Sequence, residues 1–101
     1  MTRTVLATVR WTDQLYKQRF NHRLSIPSDA KYCPIILFLG QKLSDDELWN
    51  AVIIFKKKNL DGSYLVELSY LSEIAPAEHL ASGNKFELFD GPNKVAQGVI
   101  I

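Results

Sequence analysis

The chain of 101 residues, 47% hydrophobic and 23% charged, has the make-up of one soluble domain spanning 1–101, with a single core and no internal boundary. One cysteine excludes an internal disulfide, no apolar run approaches the roughly 18 residues of a membrane span, and the first residues lack the apolar stretch of an export signal, so a cytoplasmic protein is expected. The net charge of +1 conceals a split: residues 1–31 carry six basic against two acidic side chains, and residues 32–101 carry six against nine. A basic first third suits nucleic acid or an acidic partner, unless folding distributes its charges around the surface.

In chain order, "TVLATVRW" (4–11) alternates, with Val5, Ala7, Val9 and Trp11 on one side, which predicts a half-buried strand. Residues 12–31 have no sustained period and contain Asn21, Pro27, Ser28 and Asp29. They read as a long loop, of a length that is uncommon in small domains and often functional. "CPIILFLG" (33–40) is a continuous apolar run bounded by Pro34 and Gly40 and predicts a strand covered on both faces. "SDDEL" (44–48) has the make-up of one helical turn capped by the Ser44 hydroxyl.

"LWNAVIIFK" (48–56) puts Trp49, Ala51, Ile53 and Phe55 on one face, and "SYLVELSYL" (63–71) groups Val66, Leu68 and Tyr70. Asn59-Leu60-Asp61-Gly62 joins the two as a hairpin. "APAEHLASGN" (75–84) predicts a connection with a helical turn after Pro76, stopped by Gly83. "KFELFDGPNKVAQGVI" (85–100) is a second hairpin, with Phe86 and Leu88 on one side, a turn at Asp90-Gly91-Pro92-Asn93, and Val95, Gln97 and Val99 resuming the pattern beyond it. Gly91 accepts a positive φ there, and Pro92 has no N–H to continue a ladder.

Six short strands with turns between them and no long helix predict an all-β fold, a small barrel or sandwich, and closure removes the edges that so apolar a sheet cannot leave open. "GNKFELFDGPNKVAQGVI", with Gly83, Phe86, Asp90 and Gly91 before a strand ending Gly98-Val99-Ile100, resembles the last strands of the third domain of elongation factor Tu. "KYCPIILF" (31–38) resembles the Tyr-Arg-Pro segment of that domain, through Tyr32 and Pro34. The resemblance implies a stand-alone six-stranded antiparallel Greek-key-like barrel. The chain departs from the family pattern at Cys33, where an arginine is usual, and at Phe89, again in place of an arginine. It has no G-x-x-x-x-G-K-[ST] loop, so neither a nucleotide nor GTPase activity is implied.

Candidate chemistry is sparse. Cys33 and His22 are close enough in sequence to pair as nucleophile and base, although a cysteine at a strand start is more commonly a small buried apolar residue. His79, beside Glu78, reads as a solvated loop residue, and the adjacent Asp45 and Asp46 as a charged turn. Two histidines and one cysteine without ligand spacing predict no metal, and no cofactor is expected. Lys56–Lys58 suit a strand end guarded against pairing with other chains.

The strongest signal is the loop 12–31 with its flanks. Trp11, Tyr16 and Phe20 interleave with Lys17, Arg19, Arg23 and Lys31, and Tyr32 opens the corner that ends at Pro34. Aromatics with arginine suit the core of a protein interface, so a non-enzymatic barrel of immunity or adaptor type is expected, binding an unidentified protein. The alternative ligand is RNA, whose phosphates and bases the same residues, with His22, would neutralise and stack; related barrels contribute to tRNA binding in translation factors.

Overall fold

A computed structural model of the chain describes residues 3–12, 31–38, 40–41 and 48–101. These form β1 (Val5–Trp11), β2 (Lys31–Tyr32), β3 (Ile35–Phe38), β4 (Trp49–Lys58), β5 (Tyr64–Tyr70), β6 (Lys85–Asp90) and β7 (Asn93–Ile100), with a single 3-10 turn at Ala77–His79. From Ala7 to Trp11 in β1, from Ala51 to Phe55 in β4 and throughout β5, every second side chain is buried, because apolar residues at period two all reach the same face of a pleated strand. The two hairpins and the helical turn after Pro76 stand where the sequence predicts them. The turn expected at 44–48 lies, except for Leu48, outside the described residues.

All pairings are antiparallel, and they close a ring. β4 lies between β3 and β5, β5 pairs with β1, β1 with β7, β7 with β6, and β6 returns to β3. β2 and β3 sit on the same edge of β4 in one register: Tyr32 faces Ile53 and Ile35 faces Asn50, so Cys33 and Pro34 fall opposite Val52 and Ala51. The Ala51 N–H still donates to the Pro34 carbonyl at 2.8 Å, whereas Pro34 has no N–H to return. Seven segments therefore make a closed six-stranded barrel. The connectivity is a Greek key, since β3, β4 and β5 follow one another and the chain then crosses back to lay β6 beside β3.

Side chains fill the interior. Val9, Ile36, Ile53, Val66, Leu68, Phe86, Leu88 and Val95 are fully buried along the wall. At the upper end, where β1 finishes, Trp11 stacks on Phe55 with ring centroids 6.1 Å apart, and Phe55 meets Tyr64 edge-on at 5.5 Å. At the lower end Phe38 packs against Phe86 at 5.8 Å, and Trp49 against Tyr70 at 6.5 Å. The connection 71–84 places Ala75 and Leu80 in the core at this end.

Three expectations are corrected. In β7, Leu88 faces Ala96 but Phe89 faces Lys94, so Val95 is the extra residue of a bulge. Val95 and Ala96 are both buried and Ile100 continues the inner face, while Gln97 points outward and does not share a face with Val95. Cys33 is exposed rather than buried, because the register turns it outward between Tyr32 and Pro34. His79 is not a solvated loop residue: its ring packs on Phe38 at 5.3 Å, and its Nδ1 lies 3.4 Å from the Tyr70 hydroxyl. Burial pushes the Tyr70 phenol up to about 12, with nearby Glu78 adding to the effect.

Candidate binding surfaces

Trp11 and Tyr32 belong to strand positions whose side chains turn inward, and their rings lie 6.1 Å apart against the core. Trp11 is buried and Tyr32 half-buried, so both root the connection 12–31 in the upper end of the barrel. Thr12 adds a backbone bond from its N–H to the Val95 carbonyl at 2.9 Å. Lys31 stands in β2 opposite Ile54. Tyr16, Lys17, Arg19, Phe20, His22 and Arg23 lie outside the described residues.

The corner after Tyr32 is held from β4. The Asn50 side-chain amide donates to the Cys33 carbonyl at 3.2 Å, next to the Ala51 bond to Pro34. Lys56, Lys57 and Lys58 are exposed at the same upper end, where a bulge between Phe55 and Lys57 breaks the alternation of β4. Lys56 pairs with Glu67 at 3.6 Å.

A cavity of about 670 Å³ lies against the outer wall and is bounded by parts of β1, β3, β6 and β7, the β4–β5 turn and residues 40–41. Register explains who lines it. Thr8, Val99 and Lys85 are cross-strand neighbours on one rung, and Arg10, Gln97, Glu87 and Leu37 on the next. These alternate with the core residues Val9, Phe86 and Phe38, so they face outward. Leu37 is nevertheless buried.

The charges around this cavity are partly matched. Arg10 donates to the Asp61 carboxylate at 3.0 Å and to the Asp61 carbonyl at 3.1 Å. Asp61 also accepts from the Ser63 hydroxyl at 2.6 Å and the Ser63 N–H at 2.9 Å; these bonds, then the Arg10 charge, hold its carboxyl below the usual carboxylate range. Lys94 pairs with Glu87 at 2.6 Å and donates to the side-chain Oε1 of Gln97 at 2.9 Å. Gln41 accepts from the Phe38 N–H at 2.8 Å.

Sequence reasoning missed this surface because its members come from five separated segments. The available signal was the outward-facing polar set of β1, β6 and β7, which reads as ordinary solvated wall until the register brings Arg10, Gln97 and Glu87 into one row. The chain matches no protein-family model, and no curated protein or solved structure is significantly similar to it.

Proposed function

We propose that the protein is a non-catalytic binding module, a cytoplasmic barrel of immunity or adaptor type, that docks a protein partner through residues 12–31 and the Tyr32–Pro34 corner. The observation that carries this is the anchoring of both ends of that connection, by the Trp11–Tyr32 contact at 6.1 Å and by the bonds from Asn50 and Ala51 to the corner. Fixed ends reduce the conformational freedom that binding must remove. The filled interior further favours binding over catalysis, since side chains occupy the space a reaction chamber inside the barrel would need.

Kinship with the third domain of elongation factor Tu remains part of the same proposal, supported by the two sequence segments and by agreement between the closed six-stranded barrel and the fold they imply. RNA is the second ligand to test, because exposed Lys57 and Lys58 stand at the end from which the basic connection leaves. Immobilised protein is challenged with its host-cell extract, with and without nuclease, beside an Arg19→Ala/Phe20→Ala variant. The expected result is a protein retained by the wild type, insensitive to nuclease, and lost from the variant. Retention by both proteins overturns the assignment to 12–31. A nucleic acid that is retained instead, and released steeply as salt rises, transfers the function to RNA.

A further inference from the structure

The hydrogen-bonding capacity of the outer cavity is spent unevenly. Its acceptors are largely engaged: the Asp61 carboxylate takes Arg10 and Ser63, the side-chain Oε1 of Gln97 takes Lys94, and the side-chain Oε1 of Gln41 takes the Phe38 N–H. Donors are left over. Among the described residues, exposed Lys85 forms no ion pair and the side-chain amides of Gln41 and Gln97 donate no hydrogen bond. Thr8 stands across Val99 from Lys85 and adds a hydroxyl.

We propose that this cavity binds a small organic anion, a carboxylate carried on an apolar body. Lys85 and Thr8 receive the carboxylate as charge-assisted and neutral donors on one rung. Val99 between them and the buried Leu37 on the neighbouring rung supply apolar surface for the body, and Gln41 and Gln97 bond its further acceptors. A volume of about 670 Å³ lies within the range of small-molecule sites, roughly 300–1,000 Å³.

Glu87 is the one lining carboxylate on the same strand as Lys85. Lys94 neutralises it at 2.6 Å and, being opposite Phe89, lies toward the Asp90 end of β6, away from Lys85. A cationic ligand has no comparable opening, because Asp61 and Glu87 both already hold a cation.

The site is separate from the protein-docking surface proposed above, and its test does not depend on that surface. The full chain, labelled with ¹⁵N, is titrated with 2-naphthoate and followed by amide chemical shifts. Saturable shifts are expected at Thr8, Lys85, Gln97 and Val99, with affinity at least fivefold weaker for Lys85→Gln and at least threefold weaker for Gln97→Glu. Lys57→Gln and Arg19→Ala/Phe20→Ala leave the affinity unchanged, and neutral 2-naphthamide binds at least fivefold more weakly. Absence of saturation, shifts centred elsewhere, equal binding of the amide, or an unchanged Lys85→Gln affinity each overturns the proposal. Lys85 is exposed and has no ion pair among the described residues, so its substitution leaves the fold intact, which the unperturbed remainder of the spectrum verifies.

Discussion

Gly98 shows how little room the barrel wall leaves. A methyl group added there meets the backbone carbonyl of Thr8 and comes within 2.5 Å of the Phe86 ring. The ring has some freedom to move, but the carbonyl belongs to the ladder that joins β1 to β7. Gly98→Ala is therefore expected to destabilise the protein by about 1–3 kcal/mol, the usual cost of overpacking, as read from urea denaturation. Trimming Phe86 at the same time relieves only the side-chain part of the clash.

Tyr70 sets a second residue-scale expectation, in alkali. The unfolded phenol ionises near 10.0, the folded one only near 12, because burial opposes its charge. Between these values the unfolded chain binds fewer protons than the folded one, so this residue's contribution to stability falls as pH rises, by at most about 1.4 kcal/mol per pH unit. Below pH 10 the contribution is constant. A Tyr70→Phe variant is expected to lack this part of the alkaline slope, which denaturation curves collected between pH 9 and 12 measure directly.

At the scale of the element, the bulge in β7 decides which side chains meet the core. The extra residue lets two successive side chains, Val95 and Ala96, both enter the core between the pairs Leu88–Ala96 and Phe89–Lys94. Deleting Val95 leaves the pairs Leu88–Ala96, Phe89–Lys94 and Asp90–Asn93 consecutive, so the ladder closes without a slip, but it takes a fully buried side chain from the core and removes the local bend that the bulge supplies. The deletion is expected to keep the folded near-ultraviolet signal while costing more stability, as read from urea denaturation, than truncating the side chain alone. Val95→Ala, which keeps the backbone count, is expected to retain that signal at a cost of about 1–3 kcal/mol.

At the scale of the whole molecule, closure depends on pairing the first strand with the last. β1 joins β7 through five opposed residue pairs, from Ala7–Ile100 to Trp11–Ala96, and joins β5 on its other side. Contacts so distant in sequence must be made after most loop-closure entropy has been lost, which slows folding. Refolding is expected on the millisecond-to-second scale, with far- and near-ultraviolet signals changing together, as stopped-flow circular dichroism would show. An early β4–β5 hairpin with native packing would contradict that cooperativity, because the buried face of this hairpin is completed only by the other strands of the barrel.

The order of strands and turns was legible in the sequence because it depends on neighbours. Alternation in β1, β4 and β5, the turn at Asn59–Gly62, and the Pro76 and Gly83 punctuation act within a few residues of themselves. The roots of the candidate docking connection, Trp11 and Tyr32, were equally visible as aromatics flanking an aperiodic stretch. Their contact with each other, 6.1 Å across a gap of many residues in sequence, was not. Only tertiary structure decided that Cys33 faces outward, that His79 lies against Phe38 and Tyr70, that Val95 is a bulge, and that Thr8, Lys85 and Gln97 share one cavity. Each of these depends on the register between strands far apart in the chain, and a register is set by how two faces pack together, which neither strand specifies alone.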